Sequence, residues 1–316
     1  MFFFNFTFQD QFGIDKSSDK SSRKSIDKRY YKFVKDDASH SILKSVCKGN
    51  VKFSRIPDLN DSSEESITFN LEEYFSTIDK IFKSEMSNEW LSFLQKHFNL
   101  FCKIYPSLEM ENLKERFLCF VRNVHAMGKN TQRMEQMARN PEYFNFLMNF
   151  VKETHRSVLG RVGVFSVTEQ LESFPMWAHY ADKARGFAVE YKGLDECFCG
   201  DNDETDVLHK LKDVNYWPEQ RQNHPFAPGD LKEIFFSKLD QWEYEREWRV
   251  VELLSSCTLD KNGSYLYPID KKYIGRIIVG WKCTDDSFEE IKQIADNAGV
   301  EAVRLWLDDS GNIVPA

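Results

Sequence analysis

The sequence predicts an α+β protein with a mixed or antiparallel sheet core and an inserted helical subdomain. Apolar and polar residues alternate in short runs near residue 30 and again past residue 160, which is typical of strands. Between about residues 70 and 158, apolar residues recur at spacings of three and four, which is typical of amphipathic helices. The chain has 316 residues, 41% of them hydrophobic, which is enough for one large core. We therefore expect residues 29–316 to form a single domain with a helical insert at about 70–158.

The first 28 residues differ from the rest of the chain. The opening MFFFNFTFQDQF has no basic segment before it and no small-residue cleavage site after it, which argues against a signal peptide. The stretch that follows is rich in lysine, serine and aspartate, a composition that favours a solvated leader over a nucleic-acid-binding arm. We expect residues 1–28 to be flexible or loosely packed.

The individual elements follow in order along the chain. RYYKFV predicts a first strand, SHSILKSVCKG a helix that ends at Gly49, and VKFSRIPDLND a strand and turn. Four helices are predicted within the insert. Later strands are predicted at RVGVFSV, GFAVEY, DVNYW, EWRVVEL and RIIVGW. The chain then ends with a helix at DDSFEEIKQIADNAG and a strand at VEAVRLW.

Composition and missing motifs argue against several classes of protein. No window approaches the roughly 18 consecutive apolar residues of a membrane span, so no membrane partner is expected. Seven irregularly spaced cysteines do not suggest a disulfide framework and favour the reducing cytoplasm. A net charge of −8 argues against a broad, sequence-indifferent grip on nucleic acid. The Rossmann, P-loop, hydrolase-elbow and zinc-protease motifs are missing, and Cys197, Cys199 and His209 match no common zinc spacing, so no metal is expected.

The first candidate site is KLDQWEYEREWRVV, residues 238–251. If its strand begins a few residues before WRVV, then Glu245, Glu247 and Arg249 lie on one face. Adjacent carboxylates raise one another's pKa, which suits a general base or the stabilisation of a developing positive charge. The alternative is a solvated strand face on which Arg249 neutralises its neighbours.

The second candidate site is a short helix predicted at about 174–183. Trp177 and Tyr180 share one of its faces, which is also what core packing would require. His179 is either a polar group at a cleft or a satisfied structural histidine. Ser166 is expected at a strand terminus that faces this helix.

The third candidate combines RYYKFV with VKFSRIPDLND, where aromatic residues beside Lys32 and Arg55 could form an anion- and ring-binding surface, although a tyrosine pair on a first strand is usually core. Together, the three candidate segments and the later IGRIIVGWKC resemble the bacterial domain-of-unknown-function family 2971. The resemblance includes the pattern K-x-x-x-W-x-Y-E-x-E-W-R, which runs from Lys238 to Arg249. It covers nearly the whole chain after residue 28 except the insert, and Ser62 stands where that family usually has proline.

The same segments are more distantly similar to the three-part NAD site of ADP-ribosyltransferases. The similarity implies that Glu247 orients the nicotinamide ribose and stabilises its oxocarbenium-like state, with Glu245 activating the target. The histidine or arginine usual on the first strand has only Arg29 as a counterpart. The residues predicted to bind the cofactor are Tyr31, Lys32, Ser166, Trp177, His179, Tyr180 and Arg249.

We therefore expect a cytoplasmic ADP-ribosyltransferase-like enzyme of bacterial conflict or phage defence. It would cleave NAD and either modify a protein or nucleic acid or hydrolyse the cofactor. One alternative is a non-catalytic module that binds a nucleotide or a partner protein, with the glutamate pair salt-bridged to Arg249. Another is a metal-independent nuclease that uses His179 and Glu247. The helical insert could cover the site, bind a protein partner or complete the core.

Overall fold

The computed structural model describes residues 28–59, 159–200, 207–218 and 235–315. Elements are numbered in chain order over those residues. The predicted helical insert at 70–158 and nearly all of the predicted leader lie outside the described residues. Within them the protein is α+β, with one large mixed sheet, a separate two-stranded sheet and a few short helices.

Every strand and helix predicted within the described residues is present, except that DVNYW is divided at Val214 between two strands of different sheets. The strands are β1 (Arg29–Val34), β2 (Asn50–Arg55), β3 (Val162–Thr168), β4 (Phe187–Lys192), β5 (Leu211–Asp213), β6 (Asn215–Trp217), β7 (Ser237–Leu239), β8 (Glu247–Leu253), β9 (Thr258–Leu259), β10 (Tyr265–Pro268), β11 (Ile274–Val279), β12 (Glu301–Leu307) and β13 (Ile313–Pro315). The α-helices are α1 (Ser41–Cys47), α2 (Phe174–Tyr180), α3 (Leu194–Cys197) and α4 (Asp285–Asn297). Short 3-10 turns lie at Ile56–Asp58, Asp240–Glu245, Leu254–Ser256 and Lys271–Tyr273.

The large sheet splits beside β3. Its strands run in the order β13-β12-β11-β4-β1-β3-β2-β10-β9, and β8 pairs with β3 and β5. Because β8 pairs with β3 over the full length of β3, strands β1 and β2 share the other edge of β3. β1 joins that edge at Thr168, whereas β2 joins it at Gly163 and Val164. The segment of β3 between these points therefore lies where β1 and β2 diverge.

The helix predicted at 174–183 is shorter than expected. It ends at Tyr180, and Asp182, Lys183 and Ala184 follow with φ angles of 48°, 57° and 66°. The chain then turns into β4 through Gly186, where a Cβ would lie 2.2 Å from the backbone oxygen of Val34. Only glycine fits this close approach, which holds the C-terminal end of α2 against β1.

His40 connects α1 to α4. Its Nδ1 lies 2.6 Å from Asp36 Oδ2, and its Nε2 lies 2.9 Å from Glu290 Oε2 on α4. Burial lowers the pKa of His40, but the hydrogen bonds and charges of the two carboxylates outweigh burial and raise it above its ordinary 6.5. The protonated ring therefore stabilises the start of α1.

We expect His40→Asn to destabilise the protein more near pH 6 than near pH 8.5. Since the folded-state pKa of His40 is raised, its stabilisation is complete below about pH 6.5 and is lost as the pH rises through the folded-state pKa. Asparagine tolerates the φ of 51° at this position. Thermal unfolding at both pH values measures the effect, with His179→Asn on the exposed side of α2 as the control. An equal loss at both pH values would contradict this role of His40.

Candidate functional site

A cavity of about 340 Å³ lies at the split in the sheet. Its walls include Phe165, Ser166, Val167 and Thr168 of β3, the β3 segment between the two divergent strands. Residues of β1, β2, β4, α1 and α2 also line it, together with residues from β7 to β8. The volume is in the range of small-molecule sites, which is roughly 300–1,000 Å³.

Seven of the nine predicted site residues line this cavity. They are Tyr31, Lys32, Ser166, Tyr180, Glu245, Glu247 and Arg249. Strand register explains the convergence: Tyr31 pairs with Thr168, Thr168 pairs with Glu247, and Ser166 pairs with Arg249. Ser166 lies inside β3 and not at a strand terminus, so that expectation was wrong.

Trp177 and His179 do not line the cavity. Trp177 is fully buried, its indole N–H donates to the Leu171 carbonyl oxygen at 2.8 Å, and its ring packs edge-on against Phe33. His179 is exposed on α2. Trp177 therefore anchors α2 in the core. The structure does not bring His179 together with Glu247, as a nuclease that uses both residues would require.

Glu247 is held by two cations at the start of β8. Its Oε1 accepts from Arg249 Nε at 2.8 Å, and its Oε2 accepts from Arg249 Nη2 at 2.9 Å and Lys238 Nζ at 3.2 Å. Ser166 is a further side-chain hydrogen-bond partner. Burial would raise the pKa of Glu247, but the charges of Arg249 and Lys238 and these hydrogen bonds bring it well below its usual range.

Glu245 reaches the same place from a different element. It ends a 3-10 turn and is not part of the strand, so the predicted earlier start of β8 was wrong. Arg246, with a φ of 40°, reverses the backbone between the two glutamates. Glu245 accepts from Lys238 Nζ at 2.7 Å and from the Tyr180 hydroxyl at 2.5 Å.

We call Tyr180, Lys238, Glu245, Glu247 and Arg249 the charged cluster. Lys238 was in the sequence motif but was not predicted as a site residue. No pattern in the sequence indicated that Lys238 is almost completely buried, where an ammonium group needs carboxylate partners. The two carboxylates face two cations, and the pKa of Glu247 is lowered, not raised as expected. An ionised Glu247 of low pKa suits electrostatic stabilisation of a cation better than proton abstraction.

On the first strand, Lys32 and not Arg29 lines the cavity. Lys32 lines the cavity, with its ammonium 5.8 Å from the centre of the Phe165 ring. Burial lowers the pKa of Lys32 to about 8. Arg29 points elsewhere and donates to Glu190 at 3.2 Å.

Metal sites, membrane-spanning helices and similarity to known proteins were also considered for this chain. Within the part of the chain that the structure describes, no group of three or more histidine, cysteine or acidic side chains could hold a metal ion. No α-helix in the same part is long and apolar enough to span a membrane. Comparison with known protein families, curated proteins and solved structures found no match to this chain.

Proposed function

We propose that the cavity binds NAD and that the protein is an ADP-ribosyltransferase-like enzyme that cleaves the bond between nicotinamide and ribose. One observation carries this proposal. The three sequence segments that resemble an NAD site lie on neighbouring strands β1, β3 and β8, and their side chains line one cavity beside a buried carboxylate.

The proposed reaction makes limited chemical demands on the protein. When the bond from the ribose C1 to the pyridinium nitrogen breaks, its electron pair leaves with neutral nicotinamide and positive charge develops on the ribose. Glu247, fixed in its ionised form by Arg249, would stabilise that charge. Glu245 has fewer hydrogen-bond partners and would accept the proton of the attacking water or target group.

A second function, nucleotide binding without turnover, is favoured by the partners of Glu247. Both of its carboxylate oxygens accept hydrogen bonds from Arg249, and Lys238 and Ser166 add further ones. A substrate hydroxyl would therefore compete with protein donors for Glu247. Binding of NAD without nicotinamide release, and growth unaffected by overexpression, would identify this function in place of a toxin-like activity in phage defence.

We expect the purified protein to release nicotinamide from NAD, and Glu247→Gln to reduce the rate by about a hundredfold or more. The amide keeps the shape of the side chain but removes the charge that stabilises the ribose cation. Nicotinamide is quantified by chromatography, with and without cell lysate. Dependence on lysate would indicate transfer to a macromolecular target.

Glu252→Gln is the matched control for this experiment. Glu252 is a buried glutamate on the same strand, it contacts His209 at 3.0 Å, and it does not line the cavity. We expect this variant to retain the wild-type rate, and thermal unfolding of both variants confirms that each is folded. A folded Glu247→Gln protein with the wild-type rate would rule out the proposed chemistry.

A further inference from the structure

The cavity carries an excess of positive charge away from the charged cluster. The cluster itself is neutral, because its two carboxylates face two cations. Asp58 also lines the cavity, but Arg55 binds both of its oxygens, at 2.7 and 2.9 Å. The lining lysines Lys32, Lys35 and Lys52 have no acidic partner within ion-pair distance among residues 28–59, 159–200, 207–218 and 235–315.

These three lysines come from two strands that diverge around the cavity. Lys32 lies on β1 and Lys35 directly follows that strand, whereas Lys52 lies on β2. Ser54 is two residues from Lys52, on the same face of β2, and also lines the cavity. The cavity is thus lined by two exposed lysines, by a serine and by the less exposed Lys32.

A bound anion would stabilise the charged form of Lys32. Burial lowers the pKa of Lys32, and repulsion from Lys52 lowers it further, although Glu247 acts in the opposite direction. A bound anion would remove the cost of keeping the buried ammonium charged, because it would supply a nearby opposite charge.

We propose that Lys32, Lys35 and Lys52 form a subsite for the diphosphate group of a nucleotide. The proposal deepens the proposed function and rests on it, because the subsite belongs to the same cavity. Their three positive charges are enough to neutralise the two negative charges of a dinucleotide diphosphate or the two to three of a nucleoside diphosphate. The ribose beyond the diphosphate would then reach the charged cluster. A cavity of about 340 Å³ favours one nucleotide over a polymer.

Binding of ADP-ribose tests the subsite, because this molecule has the diphosphate but no nicotinamide bond to cleave. We expect the Kd of ADP-ribose, measured by calorimetry, to rise at least about tenfold in the double variant Lys35→Gln with Lys52→Gln. Both lysines are exposed, so the fold should be unaffected. Lys48→Gln removes one charge from an exposed lysine outside the cavity and should leave the Kd unchanged.

Adenosine, ADP and higher salt provide three further tests of the subsite. Adenosine, which has no phosphate, should bind at least about tenfold more weakly than ADP-ribose and equally to both proteins. ADP should lose affinity in the double variant as ADP-ribose does if terminal phosphates also occupy the subsite, and should bind weakly if only a bridging diphosphate fits. Higher salt should weaken ADP-ribose binding to the wild type more than to the double variant.

Several outcomes would overturn the subsite. They are an unchanged Kd of ADP-ribose in the double variant, equal binding of adenosine and ADP-ribose to the wild type, or no binding of ADP-ribose at all. Tighter binding of a short single-stranded oligonucleotide than of ADP-ribose would assign the lysines to nucleic acid. Nicotinamide release with an unchanged KM in the double variant would remove the subsite and leave the proposed function. Lysine-dependent ADP-ribose binding without nicotinamide release would do the reverse.

Discussion

Replacing Arg249 with methionine will lower the free energy of unfolding by about 3–5 kcal/mol. Arg249 is 1% exposed and forms two hydrogen bonds with Glu247, while its Nη1 donates to the Phe235 carbonyl oxygen at 3.0 Å. Methionine fills most of the volume but leaves a buried carboxylate with one of its two cations. Desolvation of that charge, and not the loss of packing, causes the predicted effect.

Chemical denaturation at neutral pH measures the loss, and Arg55→Met provides the comparison. Arg55 also binds a carboxylate through two hydrogen bonds, to Asp58, but about half of each side chain is exposed. Its replacement should cost no more than about 1 kcal/mol. Adding Glu247→Met to Arg249→Met should restore part of the lost stability, because it removes the buried carboxylate that has lost one of its two cations. Equal losses at Arg249 and Arg55 would mean that burial of the charged cluster does not matter.

Local patterns were sufficient to predict the elements of this fold but not their spatial arrangement. Alternation was used to predict β1, β3 and β8, although β3 and β8 are buried on both faces over most of their length. The split beside β3 depends on where β1 and β2 join one edge, and this register is set by contacts distant in sequence. The cavity could therefore not be predicted from periodicity alone.

The errors at the site have specific physical causes. Glu245 was assigned to the strand because alternation does not detect a residue such as Arg246 in the left-handed region. Lys238 belongs to the cluster because β7, in a separate two-stranded sheet, brings it there. The pKa of Glu247 was expected to rise from a neighbouring carboxylate, but the neighbours that dominate are cations. Each error concerns a tertiary contact that spacing along the chain does not determine.

Replacing Trp177 tests whether this residue packs in the core or binds a ligand. Trp177→Ala should lower the free energy of unfolding by about 3–5 kcal/mol, since it creates a large cavity and leaves the Leu171 carbonyl oxygen without its indole donor. The exposed His179, two residues later on α2, is the control, and His179→Ala should change stability by less than about 0.5 kcal/mol.

We expect replacement of Trp177 to lower ligand affinity as well, through its effect on α2. Trp177 fixes α2, and Tyr180 at the end of α2 donates to Glu245, so Trp177→Phe should weaken that contact while preserving most of the packing. Ligand affinity should then fall only as much as in Tyr180→Phe, which removes the hydroxyl without disturbing the core. A Trp177→Ala protein as stable as the wild type but unable to bind nucleotide would instead make the indole a ligand contact, as the sequence resemblance had predicted.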